Sequence, residues 1–204
     1  MFVQAWLLPT LALLAGYFLG SIPFGLLLAR ATGAGDLRTI GSGNIGATNV
    51  LRTGRKGLAA ATLILDVLKG AVAVLFGEWL QPGLGALGGV GAFYGHIFPV
   101  WLRFHGGKGI ATFLGVAAAL HWPSALAFAV TWLALSLLTR YSSVGGVGAA
   151  ITTPIVSAFF FQAALTLVFL AFALTVLWTH RANLGRLFEG TEPRIGQKAS
   201  APPT

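Results

Sequence analysis

What most limits the fold of this chain is the length of its uncharged runs. The first 29 residues contain no Lys or Arg, and several later apolar stretches approach the ~20 residues that cross a bilayer core. Charged residues make up 9% of the 204 and hydrophobic residues 56%, whereas a soluble domain carries about 25% charge. Lipid offers no water to satisfy backbone N–H and C=O groups, so open sheets cannot span it. The expected class is an all-α integral membrane protein.

Seven spans are read from the runs, at about 5–28, 57–80, 84–102, 109–120, 123–138, 144–160 and 163–178. The fourth is short, and His121-Trp122-Pro123 divides it from the fifth, because a residue before proline resists a continuing helix. Twelve of the 13 Lys and Arg fall after spans one, three, five and seven. The connections after spans two, four and six carry none. Alternating helices put those cations on one side, which the positive-inside rule makes cytoplasmic. The N-terminus is then outside and the C-terminus in the cytoplasm. The opening run lacks the positive start of a secretory signal, so it is read as a retained span. The net charge of +8 follows this membrane pattern, and no nucleic-acid partner is expected. Residues 1–196 are read as one seven-helix domain and 197–204, rich in Pro, Ser and Ala, as a disordered tail.

Three polar segments fall on the cationic side. The first is "GSGNIGATNVLRTGRKG", 41–57. Its glycines Gly41, Gly43 and Gly46 let backbone N–H groups turn toward an anion. Ser42, Asn44, Thr48 and Asn49 add side-chain hydrogen bonds, and Arg52 can fork onto a phosphate. It lacks the Gly-Lys-Ser/Thr ending of a nucleotide loop. The second, "HIFPVWLRFHGGKGIAT" at 96–112, places Gly106, Gly107 and Lys108 at the start of an apolar helix, where N–H groups, dipole and cation favour an anion. The third, "HRANLGRLFEGTEPRIG" at 180–196, puts His180 and Asn183 on one face if the helix continues. Glu189 and Glu192 are its acidic residues, and a plain charged tail is the alternative reading. Asp66 and Lys69, three apart inside span two, are either a functional pair or an ion pair that glues the bundle.

Four histidines without a cysteine make no recognisable metal set. No Gly-x-Ser-x-Gly elbow is present, and no histidine is followed by aspartate five positions on. These absences leave anion binding beside a membrane as the shared theme. A transporter for a small phosphorylated anion is the rival, although such a path needs polar groups across the bilayer.

Together with "GSIPFG" at 20–25, the three segments resemble the bacterial membrane glycerol-3-phosphate acyltransferases that use acyl-phosphate, the PlsY family. The resemblance covers the whole chain. It implies seven transmembrane helices with the active site at the cytoplasmic face, in the bacterial inner membrane. It implies transfer of a fatty acyl chain from acyl-phosphate to the 1-hydroxyl of glycerol 3-phosphate, giving lysophosphatidic acid and phosphate, the first step of phospholipid synthesis. By motif it implies Ser42, Asn44, Thr48, Arg52, Lys108, His180 and Asn183 at the site, with Ser142 and Ser143 after span five. An acyl-phosphate is already activated, so no cofactor, metal or coenzyme A is required, and no obligate protein partner is expected. The glycerol proton goes to His180 or, preferably, to a donor phosphate oxygen. Ser42 is expected to bond phosphate or the oxyanion rather than form an acyl-enzyme.

Overall fold

The computed structural model describes residues 2–40 and 43–196. Gly41, Ser42 and the 197–204 tail, expected above to be disordered, lie outside the described residues. Among the described residues the chain is wholly helical, with no strand. The helices are α1 Phe2–Gly20, α2 Phe24–Ala31, α3 Ala47–Leu51, α4 Lys56–Leu80, α5 Gly85–Ile97, α6 Ile110–Leu120, α7 Trp122–Thr139, α8 Ser142–Phe159, α9 Ala163–Thr179 and α10 Arg181–Phe188.

Proline and glycine explain most boundaries. The run read as one span over 5–28 is a broken helix, interrupted at Ser21-Ile22-Pro23 between α1 and α2. Pro23 brings no N–H, and its ring pushes Ile22 out of the helical region. The third run ends as α-helix at Ile97 rather than Leu102, two residues before Pro99. The chain then turns through Arg103 and Phe104, both left-handed at φ 51° and 63°. Pro123 lies in the first turn of α7, where its missing N–H costs little. The last expectation corrected here concerns His180 and Asn183. The helix bends by 54° between α9 and α10, with His180 at the break, so the two do not share one straight helix face.

Four stretches are long and apolar enough to cross a membrane: Trp6–Ala31, α4, α7 and α8. A fifth is α9 with α10, if the bent pair counts as one span. Their outer surfaces suit lipid, with Leu138 80% and Phe159 78% exposed. Inside, aromatic rings join the helices. Phe93 of α5 stacks on Phe172 of α9 with centroids 3.9 Å apart. Phe113 of α6 meets Phe128 of α7 edge-on at 5.3 Å. All four rings are buried.

On the other flank, α1, α4 and α5 approach through small residues. A Cβ at Gly88 of α5 would fall on the Ala73 carbonyl of α4, and one at Gly16 of α1 would fall on the Gly88 backbone. In lipid, close backbone contact replaces the hydrophobic effect as the attraction between helices. Gly88→Leu is therefore expected to lower stability by roughly 1–3 kcal/mol through overpacking. A detergent-solubilised thermal melt unchanged from the native protein would contradict this.

Candidate functional site

A cavity of about 350 Å³ opens where α3, α4, α6, α7, α8 and the α9–α10 bend meet. Its polar end gathers the sequence-predicted residues from all three segments: Asn44, Gly46, Thr48, Asn49 and Arg52 from the first, Lys108 from the second, His180 and Asn183 from the third. Ser142 and Ser143, at the start of α8, line it as well. The N-terminal ends of α6 and α8 both reach this end, since Gly109, Ile110 and Ala111 also line it. Helix N-termini carry unsatisfied N–H groups and about half a positive charge each. With Arg52 and Lys108 beside them, the arrangement can hold an anion.

Local geometry explains how each segment is held. Asn44 Oδ1 accepts the Gly46 N–H at 2.9 Å, a turn that leads into α3. Asn49 is buried, and its amide donates to the Leu37 and Ile40 carbonyls, both at 2.9 Å. Although it lines the cavity, that amide pins the backbone just before residues 41–42. Arg52 is half-buried, and its Nη1 is buried without a hydrogen-bond partner among the described residues. Burial lowers its pKa, but a guanidinium stays charged.

Two expectations change. Gly106 and Gly107 do not line the cavity. Their N–H groups donate to the Ile97 and His96 carbonyls, both at 3.0 Å, so they are not available to an anion. They fasten the turn that presents Lys108. Gly43 is likewise absent from the lining. It is a left-handed turn residue at φ 68° whose N–H donates to the Ile40 carbonyl.

Sequence reasoning missed the centre of the polar end, Glu192. Its carboxylate is 6% exposed as a residue. Oε1 accepts from Ser143 Oγ at 2.8 Å and Asn183 Nδ2 at 2.7 Å, and Oε2 from Arg186 Nε at 2.8 Å. Asn183 Oδ1 in turn accepts from Lys108 Nζ. Glu189, three residues earlier, is exposed. The sequence signal for Glu192 was one acidic residue in a cationic tail, and spacing could not separate it from Glu189.

Charge states follow from these contacts. Burial alone raises the Glu192 carboxyl, but hydrogen bonds from Asn183 and Ser143 and the Arg186 charge outweigh it and hold the pKa below its ordinary value. Burial drives Lys108 down to about 8, against the pull of Glu192 and helped by Arg186 and Arg52. His180 falls to about 4, first through burial and then through Lys108. Its Nδ1 lies 2.9 Å from the Val176 carbonyl. A carbonyl can only accept, so Nδ1 carries the proton and the neutral ring leaves Nε2 as acceptor.

The other end of the cavity is apolar, lined by Leu114 of α6 and by Phe128, Trp132 and Leu133 of α7, with Leu63 of α4 across from them. Leu63 and Leu133 are 42% and 53% exposed on the outer surface of the bundle. The apolar slot therefore reaches the outer surface of the bundle between α4 and α7.

A cationic pocket continuous with an apolar slot, in a bundle of membrane-length helices, suits a ligand with an anionic group and an apolar part. Comparison with known proteins identifies the family. A family model described as "Glycerol-3-phosphate acyltransferase" matches residues 10–190, and the chain belongs to that family of membrane acyltransferases. The glycerol-3-phosphate acyltransferase of Mesorhizobium japonicum is 57% identical over 188 residues, 92% of this chain and 96% of the relative. That of Brucella anthropi is 56% identical over 187 residues, covering 92% and 93%. The crystal structure of PlsY (YgiH), an integral membrane glycerol 3-phosphate acyltransferase, in its glycerol 3-phosphate form superposes with a TM-score of 0.84. It is 34% identical, and the match covers 92% of this chain and 96% of that one. The lysophosphatidic acid form gives 0.82 at 33% identity, covering 92% and 95%.

Because the Glu192 pKa is depressed on folding, its stabilisation is fully present above the ordinary carboxylate range and is lost as pH falls through the lowered folded value. Glu192→Gln is expected to lower stability near neutral pH by on the order of 1–3 kcal/mol. Melts of the two proteins should converge as the pH is lowered toward that value. A gap independent of pH would contradict the assignment.

Proposed function

We propose that this acyltransferase moves a fatty acyl chain from acyl-phosphate to the 1-hydroxyl of glycerol 3-phosphate. The observation that carries the reading is the two-part cavity, a cationic end continuous with an apolar slot. The donor's chain lies in the slot beside Leu114 and Trp132, and its phosphate lies at the cationic end. The acceptor enters from the polar side. Seven spans carry the site in one domain, with the N-terminus outside and the site and C-terminus facing the cytoplasm of a bacterial inner membrane. Support for seven comes from α5 and α6, which are short but lie between runs of cations that alternate with uncharged connections.

In the reaction the glycerol oxygen attacks the donor carbonyl carbon. The new C–O bond forms and the bond between the acyl carbon and the phosphate oxygen breaks, leaving inorganic phosphate with the electron pair. Arg52, Lys108 and the N-terminal N–H groups of α6 oppose the charge that gathers on phosphate and carbonyl oxygen. Ser42 and Thr48 add hydroxyl donors, and Asn44 and Ser142 complete the polar wall. Ser143 holds Glu192, and Asn183, held in turn by Glu192, accepts the hydrogen bond that fixes Lys108. The glycerol proton passes to an oxygen of the departing phosphate, which grows more basic as its bond to carbon breaks. His180, with a pKa near 4, is a poor base at neutral pH, and its Nε2 serves better as a hydrogen-bond acceptor that orients the glycerol hydroxyl.

Purified protein given palmitoyl-phosphate should release phosphate in a glycerol 3-phosphate-dependent manner. Arg52→Ala and Lys108→Ala should each lower that rate by a hundredfold or more, on the order expected for removing one charge-stabilising donor. Acceptor-independent burst release would instead favour an acyl-serine, and no release from folded protein would favour the anion transporter.

Lys108 must be protonated to hold phosphate, and its free-enzyme pKa lies near 8. The value of kcat/KM should therefore fall as pH rises through about 8. In Lys108→Arg, whatever its absolute rate, that falling limb should move upward, because guanidinium does not titrate there. An unshifted limb would remove Lys108 from this role.

A further inference from the structure

Within the helical bundle, three titratable side chains are buried together: Asp66 and Lys69 of α4 and His96 of α5, each at most 5% exposed. Lys69 Nζ is 2.8 Å from Asp66 Oδ1 and also donates to the Ile22 carbonyl at the α1–α2 break, at 2.9 Å. Asp66 Oδ1 is 3.7 Å from His96 Nδ1. Burying such charges in a membrane protein is costly. An i,i+3 pair of this kind could be replaced by apolar groups if packing were its whole purpose.

The His96 ring shows where the assembly leads. It stands between the Asp66 carboxylate and the backbone of Gly107, where any Cβ would run into ring Nε2. The carbonyls of His96 and Ile97 accept the N–H groups of Gly107 and Gly106, both at 3.0 Å. The next residue is Lys108, whose Nζ donates to Asn183 Oδ1 at the cavity. Gly109 then enters α6 at φ 87°, with the Phe93 ring against it. A line of contacts thus leads from the α1–α2 break through α4 and the last turn of α5 to the cation of the site, its one link longer than a hydrogen bond being the 3.7 Å between Asp66 Oδ1 and His96 Nδ1. Asp66 and His96 themselves reach the cavity wall.

We infer that Asp66, Lys69 and His96 are positioning residues for the acyl transfer: the ion pair fixes the His96 ring, and the ring fixes the Gly-Gly turn that aims Lys108. This rests on the reading of Lys108 as a phosphate-holding group. If that reading failed, Lys108→Ala would keep its activity, a result separate from those below.

The test replaces the pair by apolar groups of similar bulk, Asp66→Leu with Lys69→Met, so that no charge is left unpaired. Detergent melts and steady-state phosphate release from palmitoyl-phosphate and glycerol 3-phosphate are then measured. The expected result is a native melt with kcat lowered about ten- to a hundredfold, the penalty of a displacement near 1 Å. Rates within about twofold of native would reduce the pair to structural glue and overturn the inference. A second set holds if the paired variant does not fold. Gly107→Ala should lower kcat at least tenfold in the native background. It should have little added effect in His96→Asn, whose shorter side chain vacates the space. An equal cost of Gly107→Ala in both backgrounds would overturn the inference as well.

Discussion

The site depends on one carboxylate placed among cations. Burial lowers the pKa of Lys108 and Arg52, and the Arg186 charge adds to the lowering of both. Glu192 is the counter-charge at the middle of the group. Through Ser143 it holds the start of α8, through Asn183 and Arg186 it holds α10, and through Asn183 it reaches Lys108. A hydrogen-bonded carboxylate of this kind loses more when one partner is removed than each bond contributes alone. An empty anion site needs such a device, because its cations repel until substrate arrives.

Much of the fold was legible because bilayer thickness acts on sequence directly. Runs such as 57–80 and 123–138 became α4 and α7 within one or two residues. The misreadings share a physical cause. Hydropathy sees the free energy of the side chains and is blind to local backbone geometry: the first run is one membrane-length stretch, Trp6–Ala31, whose helix break at Ser21-Ile22-Pro23 it does not show, and it ran past Ile97. Pro23 and Pro99 were visible, but an apolar run around a proline reads equally as a kinked span or as a broken one. The bend at His180 carries no proline or glycine signal at all.

The site was legible in part for a different reason. Glycine, asparagine and small hydroxyls in a greasy chain are a compositional anomaly, and Asn44, Thr48, Arg52, Lys108, His180 and Asn183 do converge. What sequence could not assign was which N–H groups face the cavity. Gly106 and Gly107 look like an anion loop yet bond to the end of α5, a distinction that depends on the fold of the 98–109 connection. The Asp66–Lys69 pair was legible from its spacing of three, but the partners of Glu192 and the place of His96 beside that pair were not, because they come from other helices. The carboxylate that organises the site is 49 residues from Ser143 and 84 from Lys108.

The opening between α4 and α7 has a consequence for how the enzyme meets its substrates. A molecule that slides in between Leu63 and Leu133 arrives by two-dimensional diffusion within one leaflet. Its effective concentration is a mole fraction of the lipid, unaffected by diluting the surrounding water. A small hydrophilic partner reaching the cationic end is counted in bulk molarity instead. On the proposed reading of a lipid-borne acyl donor and a water-borne acceptor, the protein sits where two concentration scales meet, and the supply of membrane area governs one reactant but not the other.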